Sequence, residues 1–445
     1  MGPLTRAAEE YLKGETSRFH TPGHKGRGGF APFDWGELWR WDVTECAGLD
    51  SLFEANGPIR ETERAYSRLY GTEDSLISAG GSTLCIQAML ALALNPGESL
   101  LAVRGVHRSA VNAMALLDLH PQWMLPSLGD KTGLAGAVSP GEVEAALACN
   151  PRLKAVYLTS PTYFGAVSDI AALSRICQSF GVPLLVDNAH GAHLAFLPRN
   201  LHPMALGADL CCDSLHKTLP VLTGGAMLHV GNKAYASRAR EKMALFGSTS
   251  PSYPVMLSID AALGYLEGGF GKDGANVTEQ MERMDSLAGE QGCLLPEFPL
   301  GDPWRLTLSA SPLGLDGPRL GAHLREHGVE PELVSEEFCV LMASPCNIQR
   351  DFLRLERALT SLPRGAAHSP KTLSLTLPQQ KASLREAVFA PSHPVPLEQA
   401  VGKIAGAMVS PCPPGIALVV PGEEIDPDTA ALLKSYGIFF IHVLH

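Results

Sequence analysis

The chain has 445 residues, 45% of them apolar, with 35 basic and 46 acidic side chains for a net charge of −11. That length holds a large α/β domain plus a smaller one around a sizeable core. The acidic balance argues against nucleic acid as the main partner and suits a cationic substrate. No run approaches the roughly 18 uninterrupted apolar residues of a membrane helix, so no membrane partner is expected. The start, MGPLTRAAEEYLKGE, lacks the apolar stretch of a secretory signal, and Arg6 breaks the myristoylation pattern. Ten cysteines occur without a C-x-x-C pair, and Cys211 and Cys212 are adjacent in an apolar run. This usage predicts reduced core thiols in a cytoplasmic protein, with no disulfide framework and no metal site.

In chain order, residues 18–29, RFHTPGHKGRGG, are too rich in glycine and charge for a helix or packed strand and predict a loop. It suits either a mobile basic leader or an arm laid over an anion site, in which His24 and Lys25 would reach the substrate. An ordered loop is expected over 42–59 and a helix over 60–70, RETERAYSRLY. SLISAGGSTLCIQAMLALAL then passes from a short strand through a Gly-Gly turn into an apolar helix, with Ser82 as its N-cap and Thr83 beside it. Backbone N–H groups, two hydroxyls and the positive end of the helix dipole make such a turn a phosphate site, although an ordinary capped helix has the same pattern.

From 99 to 230 short apolar strands (SLLAV, QWMLP, KAVYLTS, PLLVD, DLCCDSL, AMLHV) alternate with helices at 107–118, 141–149 and 168–180. The alternation predicts a mainly parallel sheet covered on both faces. Ligands of such sheets bind beyond the carboxyl ends of the strands, where His107, Ser160, Asp187 and Lys217 fall. A hydroxyl-rich turn, FGSTSPSYP, precedes a helix running to about 267, and composition shifts beyond 290. The expected division is an N-terminal arm over 1–60, a large domain over 61–294 and a smaller α+β domain over 295–445. In the last, VSPCPPGIALVVPGEE ends in Glu423 and Glu424, which composition alone would leave on a solvated turn.

Within this frame DLCCDSLHKTL carries the chemistry. It runs from an apolar strand into Ser214, His216 and Lys217. Desolvating an ammonium is unfavourable unless it is paired or neutralised, and an amine of lowered pKa is what condenses with an aldehyde. Thirty positions earlier VPLLVDNAHGAH ends in Asp187, followed by Ala189 and His190. A lysine and a carboxylate at two strand ends suit the two ends of a pyridoxal phosphate (PLP) ring. They equally suit a structural Asp–Lys pair.

These segments together resemble the Orn/Lys/Arg decarboxylases, fold type I PLP enzymes. The likeness runs in order through FHTPGHKGRG, DVTECAGLD, AGGST, VHRSAVNA, SPTYFG, VDNAHGAH, SLHKTLPVLTGGAMLH, STSPSYP and PPGIALVVPGEE. It implies an aspartate aminotransferase-like large domain with a seven-stranded, mainly parallel sheet. It implies that Lys217 forms the Schiff base with PLP, that Asp187 keeps the pyridine nitrogen protonated, and that His107 stacks on one ring face with Ala189 on the other. Ser82, Thr83, Ser214 and His216 match phosphate-side positions, with His190 close by; His216 is also placed to return a proton to Cα. Ser248 and Thr249 would reach the phosphate of a partner subunit. The implied reaction is decarboxylation of arginine, lysine or ornithine.

Asn188 stands where relatives often have Glu, and Gly224 where they often have Gln. The chain begins almost at the HTPGHK loop, which leads to the expectation of a compact homodimer. Glu423, Glu424, Asp42 and Glu45 are candidates for the substrate's distal cation. The alternatives are an aminotransferase, with Arg305 as a carboxylate-binding residue unless it is a partly exposed strand residue; a Cβ-lyase; a cysteine desulfurase, whose mobile-loop cysteine could only be Cys346 or Cys412, both beside prolines; or a non-catalytic PLP-binding protein.

Overall fold

The computed structural model describes residues 2–13, 36–129, 132–368, 375–411 and 415–445. Seven strands, β1 (Asp74–Ser78), β2 (Ser99–Val103), β3 (His120–Met124), β4 (Leu153–Thr159), β5 (Leu184–Asp187), β6 (Leu210–Asp213) and β7 (Ala226–Val230), form one sheet in the order β1-β7-β6-β5-β4-β2-β3. Pairing is parallel for β2 with β3, β2 with β4 and β4 with β5, and antiparallel for β7 with β1 and with β6. β1, β5, β6 and β7 are buried throughout, as strands of a sheet covered on both faces should be, and the polar residues Ser75, Asp187, Asp213 and His229 are buried with them. The edge strand β3 is the exception, half-exposed and polar. It starts two residues before the expected QWMLP, because its register pairs Ser99 with His120.

Five further strands lie toward the C-terminus: β8 (Arg305–Leu308), β9 (Leu333–Val334), β10 (Cys339–Met342), β11 (Ser392–Pro396) and β12 (Phe440–Leu444). They make a three-stranded sheet, β8-β10-β9, and a two-stranded one, β11-β12. Packing groups the chain into two compact units, Met1–Leu92 with Asn188–Gly274, and Ala93–Asp187 with Ala275–His445. Among the described residues no helix is long and apolar enough to cross a membrane.

The first unit is knit together by buried carboxylates. The N-terminal helix Pro3–Lys13 has no acid in its own first turn. Asp260, on the helix Tyr253–Gly268, supplies one: its carboxylate accepts from Leu4 N (3.2 Å), Thr5 N (2.8 Å), Thr5 Oγ1 and Thr62 Oγ1 (both 2.5 Å). It thereby satisfies N–H groups that a helix start leaves unpaired. Glu63, on the helix Pro58–Tyr70, is fully buried and receives the guanidinium groups of Arg240 and Arg60 together with Ile77 N (3.2 Å). Burial pushes the Glu63 carboxyl up, and the two arginines work against that.

In the second unit a smaller core of Val395, Leu418, Val419, Leu433 and Val443 lies under the β11-β12 pair. Asp260→Ala, which removes the shared acceptor of four donors, of which only Thr62 Oγ1 keeps another partner among the described residues, in Pro58 O, is expected to lower the unfolding free energy by about 2–4 kcal/mol. Thr62→Val, which removes one of them, should lower it by about 1 kcal/mol. Urea unfolding of the two variants checks both the size and the order.

Candidate active site

In the first unit β6 ends at Asp213. Ser214 then opens a single helical turn, Leu215–Thr218, in which Lys217 N donates to Ser214 O (3.1 Å). Lys217 is therefore on a turn beyond the strand, and its side chain is exposed. The desolvation inferred from a strand-end position is not supplied here. His216 is anchored by its Nδ1 and its backbone N, both on Gly225 O, at 2.9 and 3.2 Å. Ser214 is 1% exposed, and its Oγ has no hydrogen-bond partner among the described residues. A buried hydroxyl left open in this way calls for a ligand oxygen.

The Gly-Gly turn has the expected form, with one shift. The helix begins at Gly81, so Ser82 and Thr83 lie in its first turn and Ser82 is not the N-cap. Gly81 takes φ +69° and donates its N–H to Gly224 O (2.8 Å). Gly224 itself has φ +95°, a conformation that L side chains rarely adopt, which accounts for glycine at this position. Thr83 and Ser248 line one cavity of about 480 Å³ with Gly80, Phe53, Gln87 and Ser250. Ser248 Oγ accepts from Ser250 N (3.1 Å), and Thr249 is exposed beside it. Ala189 is buried and His190 half-buried in the turn after β5, closed by Gly191 N donating to Asn188 O (2.8 Å). A glycine turn, three hydroxyls and an exposed amine fit a phosphorylated aldehyde.

In the second unit Asp187 closes β5, 1% exposed, and its Oδ2 accepts from the Tyr157 hydroxyl (3.3 Å). Its carbonyl accepts from Ser160 N (3.0 Å). His107 is the N-cap of the helix Arg108–Leu116. Its Nδ1 accepts from Ser109 N (3.3 Å) and lies 2.7 Å from Ser109 Oγ, while the residue stays exposed. The VHRS motif thus encodes both a helix start and the orientation of an imidazole.

Other expectations change. Glu423 is not on a solvated turn: it is 1% exposed and ion-paired with the wholly buried Arg104, while its Oε2 accepts from Val420 N (2.8 Å). Its charge is already met, which removes it from the candidates for a substrate cation. Arg104 O accepts from Ala417 N (3.0 Å), and its guanidinium lies 4.8 Å from the Trp123 ring centre. Glu424 is half-buried and pairs with Lys381 at 3.2 Å, and Glu45 takes the Thr44 hydroxyl at 2.5 Å. Arg305 is buried in β8, 3.8 Å from Asp302, and not partly exposed. Cys346 is exposed, whereas Cys85, Cys177, Cys211, Cys212, Cys293 and Cys339 are buried. His24, Lys25 and Cys412 lie outside the described residues.

One buried polar group in the first unit has no counterpart among the sequence expectations. Asp213 accepts from Asn188 Nδ2 (2.6 Å), His202 Nε2 (3.0 Å) and His229 Nε2 (3.2 Å), with Cys211 Sγ at 3.7 Å. His202, Cys211 and Asp213 together have the make-up of a metal site. The tautomer speaks against one: His202 Nδ1 accepts from Met204 N (3.3 Å), so Nε2 carries the proton given to Asp213 and has no lone pair for a metal. The available signal was an aspartate inside an apolar strand, which requires donors from elsewhere.

Burial raises the Glu423 carboxyl to about 7 against the pull of Arg104, and lowers Arg104. The stability contributed by protonated Glu423 is complete below about pH 4.5 and is lost as pH rises through about 7. Relative to Glu423→Gln, the unfolding free energy of the parent protein is expected to fall by about 2 kcal/mol between pH 5 and 8. Parallel denaturant titrations at the two pH values check this; equal slopes for both proteins would refute it.

The family description "Orn/Lys/Arg decarboxylase, major domain" matches residues 2–289, and the C-terminal domain of the same family matches 370–439. YaaO of Bacillus subtilis is 30% identical over 99% of this chain and 95% of its own length. An arginine decarboxylase of Halalkalibacterium halodurans is 30% identical over 97% of this chain and 92% of its own length. Among solved structures, the Francisella novicida lysine decarboxylase LdcF has a TM-score of 0.84 at 19% identity, covering 100% of this chain and 81% of that one, a likeness of fold. By the profile over its first 289 residues and its end-to-end relatives, the chain belongs to the Orn/Lys/Arg decarboxylase family.

Proposed function

We propose that in this PLP-dependent decarboxylase of basic amino acids the cofactor is tethered to Lys217 and its ring nitrogen faces Asp187. The observation that carries the assignment is local: an exposed lysine one turn beyond β6, beside a buried Ser214 hydroxyl with no partner among the described residues. PLP, when bound, supplies an aldehyde for amines and a cationic ring that accepts the electron pair released as carbon dioxide leaves.

The chain's own residues divide the work. Ser82, Thr83 and Ser214 donate to phosphate oxygens, helped by the dipole of the helix Gly81–Ala93. Asp187, buried and held by Tyr157, keeps a proton on the ring nitrogen, because a nearby carboxylate favours the charged form. His107, fixed through Nδ1 by Ser109, presents its ring to one face, and Ala189 packs on the other. His216, anchored on Gly225 O, is placed to return a proton to Cα. His190 borders the same turn, and Ser248 with Thr249 serve the phosphate of a second copy.

Arginine is the first substrate to test, because the decarboxylase matched over 97% of this chain acts under that name. The product, agmatine or a diamine, feeds polyamine biosynthesis in the cytoplasm. We propose a homodimer, for which sedimentation should give a particle of two 47.4 kDa chains. A monomer, or a ten-chain particle, would overturn that.

Carbon dioxide release measured side by side from arginine, lysine and ornithine identifies the substrate; release of a keto acid with no carbon dioxide refutes decarboxylation. Lys217→Ala should abolish the visible absorbance of the tethered cofactor and lower turnover at least about a thousandfold. Unchanged turnover refutes the assignment of Lys217.

A further inference from the structure

The carboxylate of Asp213 is wholly buried in β6, four positions before Lys217, and three side-chain N–H donors meet it. His202 can only donate through Nε2, because its Nδ1 is taken by Met204 N. His229, whose pKa burial lowers against the pull of Asp213, donates through Nε2 and accepts the Ser75 hydroxyl at Nδ1 (2.8 Å). Ser75 Oγ in turn lies 2.8 Å from Thr72 Oγ1. Tyr70 covers both imidazoles, its ring centre 4.9 Å from His202 and 4.4 Å from His229. Burial works against the charge of Asp213, yet the two histidines outweigh it and hold the carboxyl well below its usual range. The cluster thus keeps one fixed negative charge inside the sheet.

The third donor is the informative one. Asn188, which directly follows Asp187, is fully buried, and its amide reaches Asp213 Oδ1 at 2.6 Å. Its backbone N also donates to Cys212 O (2.9 Å). The first residue after the cofactor-facing acid is therefore fastened twice to the strand that leads into the lysine turn. A glutamate here, which the family resemblance alone would lead one to expect, would set a second buried carboxylate against Asp213, and one of the two would have to take up a proton.

We propose that Asn188 and Asp213, with His202 and His229 as supporting donors, are positioning residues for the cofactor site. They act through the segments that carry Asp187 and Lys217 and do not touch substrate. The proposal rests on the assignment of the PLP site above.

The test uses the reciprocal exchange. Asn188→Asp alone opposes two carboxylates, whereas Asn188→Asp with Asp213→Asn restores an amide–carboxylate hydrogen bond with the roles reversed. In the single variant kcat is expected to fall about tenfold or more with KM changed less than threefold, and the affinity of apoprotein for PLP, followed by absorbance, to weaken about tenfold. The double variant should recover both to within about threefold of the parent. A merely structural contribution would move urea midpoints while leaving the PLP affinity and the kcat-against-KM split unchanged, and that result overturns the proposal. So does a double variant no better than the single one.

Should Asn188→Asp fail to fold, Asn188→Ala, which keeps the backbone bond to Cys212 and loses only the amide, supplies the same PLP titration, and parent-like affinity there is equally fatal. PLP affinity is read without substrate. If no basic amino acid releases carbon dioxide, the functional reading falls while this inference is still decided.

Discussion

A carboxylate taken out of water has to be met by donors from elsewhere in the chain, and this fold is fastened by that need. Asp260 draws the N-terminal helix and Thr62 to one point, Glu63 gathers two arginines, Glu423 engages Arg104, and Asp213 collects an amide and two imidazoles. Asp260, Glu63 and Glu423 join segments far apart in sequence, Asp213 joins neighbouring strands and loops, and each leaves little freedom in their geometry. Removing one partner of such a group is far more damaging than never having buried it, because the remaining charge or donors stay desolvated. Apolar packing supplies most of the stability of a chain this size, but it tolerates small slips. The buried charges set register at the strand ends, where the chemistry is expected.

The elements most legible in the sequence are those whose signal is local. The mainly apolar strands β2, β4, β5, β6 and β7 are recognisable because a covered strand has no regular polar face to confuse the pattern. β3 lies two residues from its expected start, since the register of an edge strand is set by its neighbour. Within the site, Gly-Gly before a helix predicts the turn at Gly81, and VHRS predicts a helix from 107. Pairings across long separations are not legible. Glu423 looks like part of a solvated turn because its partner lies 319 positions away, and nothing near PGEE announces a buried guanidinium. Arg305 looks partly exposed although its ion-pair partner Asp302 is only three positions away, because its burial is decided by how β8 packs.

The two departures from the family pattern show how the same signals can mislead. Gly224 and Asn188 resemble losses when each is set against the side chain that the family resemblance leads one to expect. In the fold each has a definite role. Gly224 adopts a backbone conformation that an L side chain resists and accepts the N–H of Gly81, and Asn188 gives Asp213 a donor that Glu could give only when protonated. A substitution at a cofactor site is therefore read through what faces it. Asn188 is interpretable only together with Asp213, and Gly224 only together with the Gly80–Gly81 turn.

Lys217 presents the remaining physical question. A lysine that serves as a nucleophile near neutral pH needs a lowered pKa, and the usual means are burial or a neighbouring positive charge. In this chain the side chain is exposed on its one-turn helix, so burial by its own polypeptide is not the means. In the proposed assembly the cofactor and a second copy of the chain would cover it, and the hydroxyl turn at Ser248 and Thr249 would come from that copy. The amine would then be desolvated only where ring and partner are both in place. On this reasoning assembly and activation of the nucleophile are one event, which is a physical reason for such a site to be shared between subunits.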